Sequence, residues 1–203
     1  LLYQGGRKSK KRTYRYFKDF LPEYEIDMYE SVDVFNDKSF FEYGTTIFFS
    51  QEGTFTEVQE NNLLAFVAHG KGFIGLHGAS ASFKEHPKYY EMLGGRFIGH
   101  KSQTKFEVIV RDKTHPITQN VGNFEIKDEP YRHDFTSKEH MHVLAEADYH
   151  DKTGQREPIM WIKSYGEGRV FYCALGHKKK SLKNPIYQQI IKRAIKWVLS
   201  KTD

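Results

Sequence analysis

Residues Gly72–Ser82 read GFIGLHGASAS, and the predicted fold follows from this stretch. A short apolar run ends in glycines that flank His77, which is typical of a buried strand that turns sharply at its carboxyl end. In open α/β sheets, ligands bind in the crevice beyond the carboxyl ends of the strands. We therefore expect His77 to lie at a ligand site.

Strand-like and helix-like segments alternate before this stretch. Glu25–Tyr29 and Thr45–Phe49 are β-prone. A helix is predicted over Phe55–His69, beginning at a capping box formed by Thr54 and Glu57. The order strand, helix, strand, helix, strand predicts a parallel sheet with helices on its faces, because parallel neighbours need a crossover connection.

The segments after this stretch contain more strands. Lys105–Arg111 alternates apolar and polar residues, and Pro158–Ser164 and Arg169–Leu175 are strand-like runs joined by a glycine turn. Asn184 and Pro185 are suited to begin a final amphipathic helix, as N-cap and first helical residue. The sequence thus adds β-hairpin elements to the parallel sheet.

Length and composition limit the class of protein. A chain of 203 residues fits one domain over 1–203, and a hydrophobic content of 38% is enough for a core. No apolar run approaches the roughly 20 residues that cross a bilayer, so we expect no membrane partner. The net charge of +5 arises from basic residues mixed with 26 acidic ones, and no nucleic-acid motif is present, so we expect no nucleic acid either.

The single cysteine, Cys173, excludes an internal disulfide and a cysteine-rich metal site. It lies within a predicted strand, where core packing is a better interpretation than a nucleophile. The motifs GxSxG, GxGxxG after the first strand, and the P-loop lysine motif are also missing from the sequence.

Histidines and carboxylates occur where strands are predicted to end. His77 and His177 each follow a predicted strand, while His100 and His133 lie in neighbouring segments. Histidine beside a carboxylate such as Glu129 is the donor combination that zinc or another divalent metal requires. The same residues are also compatible with hydrogen-bonded structural histidines and a solvated turn.

Five segments together resemble the ThuA-like (trehalose-utilisation) family: residues 70–80, 94–100, 112–118, 124–131 and 166–177. The resemblance extends from about residue 45 to 200 and is weaker over the first 40 residues, where the loop after the first strand reads QGGRKSK. It implies an α/β fold of the class I glutamine amidotransferase-like superfamily: a flavodoxin-like three-layer sandwich with a mainly parallel central sheet and added β-hairpins.

The resemblance also implies a chemistry. His77 occupies the place where true amidotransferases carry the catalytic cysteine, so a cysteine-dependent glutamine amidotransferase is excluded at that position. The family is linked to carbohydrate metabolism, and we expect a small-molecule carbohydrate, a disaccharide or keto-glycoside, as the substrate of a hydrolase or lyase. The alternative is a non-catalytic carbohydrate-binding or regulatory module on the same fold.

The expected site residues have three roles. The catalytic residues are His77, Glu129 and His133; the substrate-binding residues are His100, Tyr131 and Asp128; a divalent metal such as zinc is expected at His77, Glu129 and His177. A homo-oligomer is compatible with the sequence. We expect a soluble protein, in the cytoplasm or the periplasm. The compartment stays open, because the chain begins at Leu1 and a processed or trimmed start could have removed a leader.

Overall fold

Four consecutive residues, Thr45, Thr46, Ile47 and Phe48, are all buried, which is the pattern of a strand covered on both faces. They belong to the central sheet in a computed structural model of the chain, which describes residues 2–4, 10–50, 53–135, 140–148 and 154–200. Within these ranges, no helix is both long enough and apolar enough to cross a membrane.

Five α-helices and eleven strands are described. The helices are α1 (Lys10–Phe20), α2 (Glu57–Ala68), α3 (Pro87–Leu93), α4 (Lys179–Leu182) and α5 (Pro185–Leu199). The strands are β1 (Leu2–Gln4), β2 (Asp27–Tyr29), β3 (Thr45–Phe48), β4 (Gly72–Leu76), β5 (Arg96–His100), β6 (Thr104–Val110), β7 (Phe124–Asp128), β8 (Tyr131–Asp134), β9 (Met141–Asp148), β10 (Arg156–Tyr165) and β11 (Gly168–Cys173).

Nine strands form one sheet in the order β2-β1-β3-β4-β11-β10-β9-β6-β7. The pairs from β2 to β11 are parallel, and the pairs from β11 to β7 are antiparallel. Only β10 and β6 therefore run against the other seven strands of this sheet. A separate antiparallel pair joins β5 and β8. The predicted α/β, flavodoxin-like class with a mainly parallel sheet and added hairpins is confirmed.

Two glycines of β4 show how closely helices cover both faces of the sheet. A Cβ at Gly72 would lie 2.7 Å from a methyl group of Val198 in α5, and a Cβ at Gly75 would lie 2.8 Å from a methyl group of Leu93 in α3. Residues three apart in a strand point to opposite faces. α5 and α3 therefore enclose β4 from its two sides, which is the three-layer arrangement.

The predicted capping box at Thr54 and Glu57 is wrong by two residues. The N-cap of α2 is Thr56, whose hydroxyl accepts from the Gln59 backbone while the Gln59 side chain accepts from the Thr56 backbone. The Thr54 hydroxyl bonds instead to the His86 Nε2, at 3.1 Å. A tertiary partner thus occupies the first candidate cap. The final helix begins as predicted, with the Asn184 side chain accepting from the first turn.

We predict that Gly168→Ala destabilises the protein by about 3 kcal/mol or more. The new methyl group would clash with backbone atoms, which cannot move aside as a flexible side chain can. A Cβ at Gly168 would overlap the Val67 carbonyl and lie 2.6 Å from the Lys71 carbonyl oxygen. The matched control is Gly122→Ala, where no atom lies within 4 Å of the new Cβ. Chemical denaturation measures both, and equal unfolding free energies for the two variants would contradict the packing of α2 on β11.

Candidate active site at the strand ends

β4 ends in an abrupt turn at His77. This residue begins a 3₁₀ helix, His77–Ala81, with a φ of 45°, a left-handed conformation that is uncommon for a residue other than glycine. Two hydrogen bonds hold the turn: the Tyr172 hydroxyl donates to the His77 carbonyl at 2.8 Å, and the His77 Nδ1 lies 2.9 Å from the Ala174 carbonyl oxygen. Strand, strained residue and helix follow one another as in a nucleophile elbow.

Four side chains meet at this turn. The His77 Nε2 lies 3.0 Å from the His177 Nδ1 and 3.0 Å from the Tyr131 hydroxyl. The Glu129 Oε2 lies 3.1 Å from the His177 Nδ1 and 3.8 Å from the His77 Nε2. They come from the end of β4, the loop after β11, the β7–β8 corner and the start of β8, so the fold brings together residues that are 100 positions apart.

The hydrogen bonds determine where the protons lie. A carbonyl oxygen can only accept, so the His77 Nδ1 carries the proton given to Ala174, and the lone pair of Nε2 faces the cluster. Burial lowers the pKa of His77, although the nearby Asp128 carboxylate opposes this. His77 is therefore a neutral base with a fixed orientation.

Tyr131 supplies a proton donor. Burial, with the negative charges of Glu129 and Asp128, raises the pKa of Tyr131 above its usual range, so its hydroxyl keeps its proton and donates to His77. The Tyr131 ring also packs against Phe97 and His100, with ring centroids 4.4 Å and 5.8 Å away. These three rings form an aromatic wall beside the cluster, and His100 is its exposed member.

Asp128 lies beneath the cluster and is completely buried. Its Oδ1 accepts from the backbone N–H groups of Glu129 and His177, at 2.8 Å and 3.2 Å, and its Oδ2 accepts from that of Gly176 at 2.8 Å. The carboxylate therefore fixes the backbone of two cluster residues. Its predicted substrate-binding role stays a prediction, but its oxygens already accept three hydrogen bonds.

His133 belongs to a separate buried network. Its Nε2 lies 3.2 Å from both the Ser80 hydroxyl and the Tyr172 hydroxyl, which are 2.7 Å apart. Among the described residues, its Nδ1 has no hydrogen-bond partner of good geometry, although the Pro158 carbonyl is near enough to oppose the lowering of its pKa. The structure thus places His133 behind the elbow, and its predicted catalytic role stays a prediction.

The sequence interpretation missed Tyr172, which holds the elbow through the His77 carbonyl. A signal was available, because the hydroxyl of a tyrosine in a buried strand needs a partner. Of the predicted site residues, the structure brings His77, Glu129, Tyr131 and His177 together. The donor atoms of His77, Glu129 and His177 lie within 4.8 Å of one another.

A family model, described as ThuA: Trehalose utilisation, matches residues 1–198. The chain belongs to the ThuA family. The match includes the N-terminal 40 residues, where the sequence resemblance is weaker, and most of the loop after β1, residues 5–9, lies outside the described ranges. No curated protein matches the ThuA-family chain in sequence.

Solved structures share the fold of this ThuA-family chain. A ThuA-like protein from Parabacteroides merdae ATCC 43184 aligns with a TM-score of 0.85 and 19% identity, covering 100% of this chain and 91% of that one. A ThuA-like protein from Bacteroides uniformis ATCC 8492 aligns with a TM-score of 0.81, 19% identity and the same two coverages, 100% and 91%. The cytoplasmic protein STM1381 from Salmonella typhimurium LT2 aligns with a TM-score of 0.72 and 13% identity, covering 99% of each chain.

We predict that His133 makes the stability of this ThuA-family protein depend on pH. Burial lowers the pKa of His133 to about 3, from an ordinary value of 6.5. Between these values the unfolded chain binds the proton and the folded chain does not, so stability falls as pH decreases from 6.5, by up to about 1.4 kcal/mol per pH unit. Replacing His133 with glutamine removes this contribution.

Urea denaturation between about pH 4 and pH 6.5, which lies between the folded and unfolded pKa values of His133, measures this dependence of unfolding free energy on pH. His133→Gln should show a shallower dependence of unfolding free energy on pH than the wild type. The matched control is His69→Gln, an exposed position at the end of α2. Equal slopes for His133→Gln and the wild type would contradict a buried neutral His133.

Proposed function

We propose that this chain cleaves a small carbohydrate derivative, a disaccharide or a keto-glycoside, at the cluster of His77, Glu129, Tyr131 and His177. Membership of a family described by trehalose utilisation supports a role in carbohydrate metabolism. The single observation that supports the reaction is the meeting of a neutral imidazole, a carboxylate and a phenol at the carboxyl ends of strands. A base and a proton donor within contact of each other are what general acid–base catalysis needs.

The chemistry follows from the protons. The His77 Nε2 and the Glu129 carboxylate are acceptors, and the Tyr131 hydroxyl is a donor. In a hydrolysis, an acceptor takes a proton from water as its oxygen attacks the sugar carbon, and the departing oxygen receives a proton from a donor. Each group thereby moves one proton in a defined direction.

A keto-glycoside allows elimination as a second route, because its carbonyl group acidifies the adjacent C–H. His77 or Glu129 takes that proton, a carbon–carbon double bond forms, and the bond to the glycosidic oxygen on the next carbon breaks. The leaving oxygen receives a proton from a donor such as Tyr131 or water. Hydrolase and lyase therefore use the same residues and differ in where the first proton is taken.

The surroundings of the cluster suit a sugar. The exposed ring of His100 and the partly exposed ring of Phe97 offer apolar faces on which the C–H groups of a pyranose can pack, and the buried Tyr131 ring lies behind them. A neighbouring cleft of about 480 Å³ shares Phe97 with this wall and is also lined by Arg96, Ile98, Lys84 and Glu85, whereas none of the four cluster side chains lines it. Its volume lies in the range of small-molecule sites, and its charged groups suit polar sugar hydroxyls.

Access to the cluster is through Glu129 and His177, whose side chains are 15% and 30% exposed, against 7% for His77. A substrate would thus reach the buried His77 past the more exposed side chains of Glu129 and His177.

We predict that His77→Asn and Glu129→Gln each lower turnover of the sugar substrate by about 100-fold or more, because each removes a proton acceptor. Asparagine suits the test, since it tolerates the left-handed conformation that His77 adopts. Turnover is measured with trehalose and with keto-derivatives of disaccharides, and thermal unfolding checks that the variants fold.

The matched control is His69→Ala, at the opposite end of β4 from His77. It should retain wild-type turnover. A folded His77→Asn variant with full turnover would refute the proposed mechanism. Sugar binding by the wild type without turnover of any sugar would instead support a carbohydrate-binding module on this fold.

A further inference from the structure

We infer that the His77 Nε2, the His177 Nδ1 and the Glu129 Oε2 bind a divalent cation of the zinc class, leaving one coordination position open to substrate. The inference rests on the proposed function in one respect, because it assigns the cation to the site of the sugar chemistry. The binding site itself is argued from the geometry of its donors.

The distances between the donor atoms are those of a coordination shell. They are 3.0 Å from His77 to His177, 3.1 Å from His177 to Glu129 and 3.8 Å from His77 to Glu129. Ligands in a tetrahedron around zinc, with bonds of about 2.0–2.1 Å, lie about 3.3–3.4 Å apart. A cation at the centre thus needs shifts of only a few tenths of an ångström.

The donor types also match. Two imidazole nitrogens and one carboxylate oxygen form the protein part of one class of catalytic zinc site, in which the fourth position holds water or substrate. The lone pair of the His77 Nε2 already faces the other two donors, because its Nδ1 proton is given to the Ala174 carbonyl. The tautomer required of a ligand is therefore set by the backbone before any ion binds.

Asp128 supports the other two ligands from behind. Its carboxylate accepts the backbone N–H groups of Glu129 and His177, so the two residues are fixed relative to each other although 48 positions separate them. The third hydrogen bond, from Gly176, orients a residue with a φ of 117° in the loop that leads to His177. Asp128 is thus a positioning residue that acts through the backbone of two ligands.

A bound divalent cation supplies Lewis acidity, which polarises a sugar oxygen at the open position. Tyr131 lies beside the proposed site, since its hydroxyl is 3.0 Å from the His77 Nε2. With a cation on that nitrogen, His77 would be a ligand and not the proton acceptor, so the second carboxylate oxygen of Glu129 would take the proton and the Tyr131 hydroxyl would be free to donate to the substrate. Glu129 and His177 then orient the cation, and the proton donor of the reaction is Tyr131.

The test is zinc titration of the full chain after chelator treatment, followed by calorimetry with Zn²⁺ alone. We expect one zinc per chain for the wild type and for the control His69→Ala. His177→Ala and Glu129→Gln should each bind zinc more weakly than the wild type. Their loss of affinity should exceed the loss of about 10- to 100-fold that removal of an outer-shell partner causes. Absence of stoichiometric binding, or equal affinity of these variants and the wild type, would overturn the inference.

Asp128→Asn tests the support behind the ligands. In the wild type, carboxylate oxygens of Asp128 face backbone N–H donors. In the variant, the amide N–H group would face one of these donors instead. We expect about 10- to 100-fold weaker zinc binding by the folded fraction. A folded variant with wild-type zinc affinity would show that Asp128 has a structural role alone. If Asp128→Asn does not fold, His177→Ala and Glu129→Gln still decide the inference.

Sugar turnover with and without zinc separates the two proposals. Zinc binding without turnover of any sugar refutes the proposed function and leaves the metal site standing. Equal turnover by zinc-loaded and zinc-free protein refutes the catalytic assignment of the cation, while the titration still reports on the site.

Discussion

The hydrogen bonds of the Asp128 carboxylate join two parts of the sheet that are distant in strand order. Asp128 ends β7, and the N–H groups it accepts from Gly176 and His177 follow β11, four strands away. Strands about 4.8 Å apart would place these ends on the order of 19 Å apart in a flat sheet. The sheet must therefore curl, and the curl brings Glu129 to the two histidines. Without the hydrogen bonds of Asp128, the antiparallel strands would extend the sheet but contribute no residue to the candidate site.

The sequence predicted the site most reliably where strand ends alone determine it. His77 and His177 follow β4 and β11, which are adjacent and parallel, so their meeting follows from the strand-end rule. Glu129 and Tyr131 follow the antiparallel part, and their convergence depends on the curl, which no local pattern encodes. The cap of α2 was misplaced because Thr54 has a tertiary partner, His86, that a local motif cannot include. The sequence could not distinguish His133 from the site histidines, because its local context does not show that Ser80 and Tyr172 enclose it.

The elbow at His77 keeps the architecture of the amidotransferase-like superfamily and changes its chemistry. The single cysteine, Cys173, is fully buried within β11, and burial raises the pKa of its thiol to about 12, so a thiolate is not available. The strained turn instead presents an imidazole whose tautomer is fixed by Ala174. The likeness to solved structures at 13–19% identity shows the fold alone, and the chemistry depends on the residues at the elbow.

The aromatic wall lies on a unit of its own. Phe97 and His100 come from β5 and Tyr131 from β8, and these two strands pair with each other outside the nine-stranded sheet. The base at His77, by contrast, follows a strand enclosed by α3 and α5. Under the proposed function, Phe97 and His100 would contact the sugar from the small sheet, while His77 would take a proton at the end of a strand of the large sheet. Tyr131 belongs to both the wall and the cluster, so sugar recognition and proton transfer are joined through this one side chain.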